Sequence, residues 1–142
     1  MPATLSTTLP DHILAAVLTL AKRKLVEKDP KRDRFAFRNY DFELQEVFSE
    51  LQKTKEYPIL NAFVFADSGP EPYSPALEES VSRLQLSGLI GRENPDYEVV
   101  FLQSAADRFF DEVLSTEFAT EIEQLKKIAS KFLDKVKVVQ PA

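Results

Sequence analysis

The side chains in this sequence that could do chemistry are few and fall in no catalytic spacing. His12 is the only histidine. It falls in the first turn of an expected helix, where a surface or half-buried role is the ordinary one. A serine nucleophile needs a base held beside it, and no partner pattern surrounds His12. There is no cysteine, which removes disulfides, thiolate zinc sites, iron–sulfur clusters and cysteine nucleophiles together. A zinc or non-haem iron centre would have to be built mostly from carboxylates, and no paired spacing supports one. Gly69, Gly88 and Gly91 are the only glycines, so no phosphate-cradling loop is present. Eighteen acidic residues between positions 39 and 123 allow many carboxylate pairs in space. Coincidence supplies such pairs so readily that they do not assign a hydrolase. The expectation is a protein with no catalytic residue, no metal and no cofactor.

The charge pattern says more. The 142 residues carry a formal net charge of −5, distributed unevenly. Residues 22–38 hold eight basic and three acidic side chains, residues 39–123 hold five basic and eighteen acidic, and the tail from 124 holds five lysines and one aspartate. Such a basic, acidic, basic order has two readings. Either the basic segments face the acidic middle within the fold or are merely solvated, or the cluster Lys22, Arg23, Lys24, Lys28, Lys31, Arg32 and Arg34 meets an acidic partner or a nucleic acid.

Length bounds the elements that must position these groups. A chain of this size is one domain by prior and buries roughly 70% of the surface its unfolded form exposes. With 44% hydrophobic and 29% charged residues, its composition is that of an ordinary globular chain. No apolar run reaches the length of a membrane span, and the first residues do not resemble a signal peptide. The cytoplasm and no membrane partner are the default.

Along the chain, Thr8 and Asp11 form a capping-box pattern with Pro10 in the tolerant first turn. Ile13, Leu14, Val17, Leu18, Ala21 and Leu25 then recur at helical spacing until Pro30 stops the helix near Val26–Lys28. Phe35-Ala36-Phe37 suits a short strand. Leu44, Val47, Phe48 and Leu51 mark a second helix over about 41–55. Ile59, Leu60, Phe63 and Val64 fit a short buried helix or a strand, and Pro70 and Pro72 make 67–73 a loop. Ser74-Pro75 caps a third helix with the stripe Leu77, Val81, Leu84 and a stop at Gly88. Leu89–Glu93 and Tyr97–Leu102 flank an Asn94-Pro95-Asp96 turn as a β-hairpin. Ser104 and Asp107 repeat the capping-box pattern ahead of Phe109, Phe110 and Val113. A last helix over about 116–136 carries Phe118, Ile122, Leu125, Ala129, Phe132 and Val136 in a heptad rhythm. That rhythm leaves a homodimer through this helix open, beside packing on its own domain. Phe109, Phe110, Phe118 and Phe132 suit a core more readily than a ligand pocket.

The order of helix, short strand, helix, helix and hairpin predicts a mainly helical fold with a small β-hairpin. This is a winged-helix-like part over about 10–102, followed by a C-terminal helical extension over about 104–137, in one domain. In such folds the helix before the hairpin usually enters the DNA major groove. Here that helix carries Glu78, Glu79 and Arg83, and carboxylates on a docking face oppose phosphate binding.

The stretch Tyr57–Asp67, then Gly69-Pro70, Tyr73-Ser74-Pro75-Ala76-Leu77, Leu84 and Gly88-Leu89-Ile90 resembles the SocA/Panacea antitoxin-like domain and the related YwgA-like proteins. The likeness covers about residues 57–110. It implies a small bacterial or phage protein whose surface binds another protein. Charge and resemblance together lead to a non-enzymatic interaction or regulatory module with a protein partner. The alternative is a DNA-binding regulator that docks through the basic segment 22–38.

Overall fold

The computed structural model describes residues 9–30, 34–36, 41–66, 72–93 and 99–139. Its first helix, α1 (Leu9–Lys28), is the centre of the molecule. From Ile13 to Thr19 every residue is buried, so these two turns are enclosed on all sides, as the uninterrupted apolar run requires. Ala15, Ala16 and Ala21 are all buried, and their small side chains let neighbouring helices approach closely. Thr8, the expected cap, lies outside the described residues.

A short strand β1 (Arg34–Ala36) leads to α2 (Asp41–Lys53), which ends two residues earlier than its apolar pattern suggests. Lys55 has φ 62°, a left-handed conformation that a helix cannot continue through. Leu44, Val47, Phe48 and Leu51 are all buried, and so are Gln45 and Ser49 between them. Pro58–Ala62 forms a 3-10 turn rather than an α-helix or strand. Leu60 and Phe63 are buried as expected, whereas Val64 is 72% exposed. The turn ends at Ala62 and Phe63 is extended, at φ −97°, ψ 119°. Along an extended backbone successive side chains point to opposite sides, so Val64 turns out as Phe63 turns in.

The third helix, α3 (Pro75–Leu86), starts as its sequence dictates, with the Ser74 side chain accepting from the Leu77 N–H and proline in the first turn. It stops at Gly88, where φ is 82°. The Leu89 N–H donates to Leu84 O and the Gly88 N–H to Gln85 O, the paired bonds of a Schellman ending that needs a left-handed residue. Then come β2 (Ile90–Glu93) and β3 (Val99–Leu102), paired antiparallel from Ile90–Leu102 to Glu93–Val99. The expected turn 94–96 lies outside the described residues.

After the hairpin, α4 (Ser104–Phe109) widens into a π-helical turn at Phe110–Leu114 and closes as α5 (Ser115–Glu117). The capping box expected at Ser104 and Asp107 is not formed. Gln103 is the cap, with no side-chain bond, and the Asp107 carboxylate is engaged by Lys22 and Arg23 instead. The final helix, α6 (Ile122–Lys135), begins six residues after the expected start at 116, because Phe118 leaves helical geometry at φ −106°, ψ 28°. Beyond it, β4 (Lys137–Val139) was not anticipated. It pairs with β1, and the four antiparallel strands lie in the order β2-β3-β1-β4.

The fold is mainly helical, and the C-terminal elements share its core. Leu125, Ile128, Ala129 and Phe132 of α6 are all buried, and α6 packs on α1 and α2. The rings of Phe48, Phe63 and Phe132 meet edge to face, with Phe48 5.5 Å from Phe63 and 6.1 Å from Phe132. The stripe Phe118, Ile122, Leu125, Ala129, Phe132 and Val136 therefore faces its own chain and is not free to form a seam with a second copy. Ile128, fully buried beside it, widens the stripe beyond the two positions per heptad of a coiled coil to the broader face of a globular helix.

Candidate functional site

Two places on the molecule are candidates for a site: the outer face of α3, and the basic end of α1 with the groove beside it. Internal clamps set the position of α3. Gln45 of α2 brackets the cap residue, its Nε2 donating to Ser74 O at 3.1 Å and its Oε1 accepting from Ser74 N at 2.7 Å. On the inner side, Asp11 is fully buried and accepts from Ser80 Oγ at 2.6 Å and from Arg83 Nε at 2.8 Å. The Asp11 hydrogen bond is the chief reason the Arg83 guanidinium is held above its ordinary pKa; burial opposes the shift and the Asp11 and Glu79 charges add to it.

With Arg83 turned toward α1, the outward residues of α3 are Glu78, Glu79, Ser82, Gln85 and Leu86, all exposed. Glu78 accepts a hydrogen bond from the Tyr73 hydroxyl. Leu86 is 87% exposed. The surface offered is acidic, with one large apolar side chain at its end.

The basic segment splits. Lys22 Nζ reaches Asp107 Oδ2 at 2.7 Å, and Arg23 Nε reaches Asp107 Oδ1 at 3.0 Å. Arg23 also bonds Asp111 Oδ1 at 3.1 Å and covers the Phe110 ring with its guanidinium 4.8 Å from the centroid. Burial pushes the Asp107 carboxyl up, but hydrogen bonds from Lys22 and Arg23 and their charges outweigh it and hold the group below the usual range. Lys24 donates to Ser130 of α6. Lys28 is exposed at the end of α1. Lys31 and Arg32 lie outside the described residues, as does the side chain of Arg34. Three of the seven candidate contacts thus fasten α1 to the C-terminal elements. They stand at the end of α1 opposite Asp11, away from the clamp that holds α3.

Between α1 and α6 lies a groove of about 560 Å³. Leu20, Phe110, Ile122 and Ala129 give it an apolar floor, and Arg23, Lys24, Lys126 and Glu27 stand around it. Of the four phenylalanines weighed for a pocket, Phe110, Phe118 and Phe132 are buried core residues; Phe110 also shows one side to this groove. Phe109 packs on the His12 ring at 5.5 Å. His12 Nδ1 lies 2.6 Å from Glu117 Oε1, so the lone histidine ties α1 to α5. Among the described residues no group of three or more histidine, aspartate or glutamate side chains is placed to hold a metal ion, and no helix is long and apolar enough to cross a membrane.

Sequence reasoning missed the groove, because its walls come from residues a hundred positions apart. The alternative reading of the charge order, basic ends against an acidic middle, was the available signal. No family model, curated protein or solved structure matches this chain.

Proposed function

We propose that the chain is a non-enzymatic, winged-helix-type interaction module that binds a protein partner through α3, in the manner the antitoxin-like resemblance implies. The observation that carries this reading is the outer face of α3, with Glu78 and Glu79 exposed and Leu86 87% exposed. A helix face with carboxylates near its start and a large apolar side chain about two turns further on suits a basic-rimmed apolar pocket on another protein, and its carboxylates repel a polyanion. The order of α1, β1, α2, α3, β2 and β3, with β1 paired to β3, supports the winged-helix description. The engagement of Lys22 and Arg23 with Asp107 leaves less charge for a nucleic acid docking through segment 22–38.

Affinity capture from the native host with the wild-type chain and with Leu86→Asp tests the proposal. The wild type should recover one protein in stoichiometric amount, and the variant should lose it while melting at the same temperature. Repeated recovery of no partner, or undiminished recovery by Leu86→Asp, refutes the assignment. Titration with mixed duplex DNA should show no steep salt dependence. A steep slope flattened by replacing Lys31, Arg32 and Arg34 with alanine would instead assign DNA as the partner.

A further inference from the structure

The groove between α1 and α6 has the make-up of a small-molecule site. Its 560 Å³ falls within the roughly 300–1,000 Å³ usual for ligand pockets, which combine an apolar lining with a few placed polar groups. Phe110 opens the π-helical turn and lines the groove, and such turns occur disproportionately at functional sites.

The polar groups differ in how far they are already satisfied. Arg23 is neutralised by Asp107 and Asp111 and stacked on Phe110, so it forms a wall. Lys126 pairs with Glu123 at 3.6 Å on the surface. Lys24 is different. Its half-buried ammonium meets the Ser130 hydroxyl, and among the described residues it forms no ion pair. An ammonium with a neutral partner above an apolar floor retains most of its attraction for an anion. Glu27 stands one turn away on the same helix and also lines the groove. A groove with one cation that is not ion-paired and one carboxylate on the same rim tolerates a singly charged head group and disfavours a phosphate or a polyanion.

We propose that this groove binds a small amphipathic monoanion, a carboxylate with an apolar body. The body lies on Leu20, Phe110, Ile122 and Ala129, and the head group replaces or joins Ser130 at Lys24. The site is separate from the α3 face and does not depend on the function proposed for it.

Octanoate, octan-1-ol and octyl phosphate are suitable probes, titrated calorimetrically into the full chain and followed by amide chemical shifts. Octanoate should bind saturably at one site, more tightly than either the alcohol or the phosphate, with shifts centred on the four floor residues. Lys24→Met should weaken octanoate by about tenfold, the ~1.4 kcal/mol that one order of affinity represents, and Lys24→Gln should do the same. Glu27→Gln, at an exposed position, should tighten octanoate. Lys28→Met should leave it unchanged. The proposal is overturned if octanoate fails to saturate, if the alcohol or the phosphate binds as well, or if shifts centre elsewhere. Unchanged affinity in the Lys24 variants or in Glu27→Gln overturns it equally.

Discussion

Asp11 Oδ2 stands 2.8 Å from Arg83 Nε, joining the first turn of α1 to the last turn of α3. The carboxylate is fully buried, whereas the Arg83 side chain is 36% exposed. A buried charge at a helix N-terminus is favoured by the helix dipole, but it still needs partners, and Ser80 and Arg83 of another helix are among them. The pair also decides which way α3 faces. With Arg83 Nε turned to Asp11 and its Nη1 3.7 Å from Glu79, Glu78 and Glu79 are the charged residues that stand fully on the outer surface of α3.

Arg83→Ala should destabilise the fold by about 1–3 kcal/mol, less than a wholly buried pair because water reaches the guanidinium. The double variant Asp11→Ala/Arg83→Ala should cost less than the two single losses together, since it strands no charge. Urea unfolding of the three variants measures this; strict additivity would mean the pair is not coupled.

Asp107 makes stability depend on acid. Its folded pKa lies below the ordinary 3.8, so the unfolded chain takes up a proton first as pH falls. The stabilisation from Lys22 and Arg23 is therefore fully present above the ordinary value and is lost as pH drops through the folded one. Asp107→Asn should lower stability at neutral pH and flatten the decline below about pH 4. Denaturant midpoints measured from pH 2 to 7 in both proteins would show a parallel decline if the ion pairs did not matter.

Phe132 is fully buried where α6 meets Phe48 of α2. Phe132→Ala should cost about 3–5 kcal/mol through lost burial and the cavity left behind. Because the stripe packs on its own chain, the loss should not vary with protein concentration. A dependence of the variant's melting temperature on concentration would point to a seam between copies.

Thr19 Oγ1 is buried with no hydrogen-bond partner among the described residues. An unpaired hydroxyl in the core carries a desolvation cost that a methyl group of the same shape does not. Thr19→Val should leave the fold unchanged and raise stability by up to about 1 kcal/mol. Thermal denaturation decides it, and a loss of stability would show that the hydroxyl has a role in the core.

Local structure was legible where a single residue type decides the backbone or one face. Ser74-Pro75 starts α3, Gly88 ends it with a left-handed residue, and Leu44, Val47, Phe48 and Leu51 place the buried side of α2. The hairpin strands also lie where alternation and turn residues put them. Acid residues in capping patterns misled: Asp107 shows the spacing of a cap but is recruited by cations 84 and 85 residues away. The heptad rhythm of the last helix left two outcomes open, since an apolar stripe does not reveal whether it meets its own domain or another copy; Leu125, Ala129 and Phe132 are buried in their own chain.

Taken alone, the chain's residue order determined roughly where the longer helices lie, both ends of α3, most of the apolar faces and the absence of cysteine chemistry, because these follow from backbone preference and short-range periodicity. Tertiary structure alone decided that Arg83 turns inward to Asp11, that β4 joins β1, that Lys22 and Arg23 close on Asp107, and that Lys24 is left above an apolar groove. Those outcomes depend on which distant groups burial brings within a few ångströms, and charge attraction and strand pairing at that range carry no signature in local spacing.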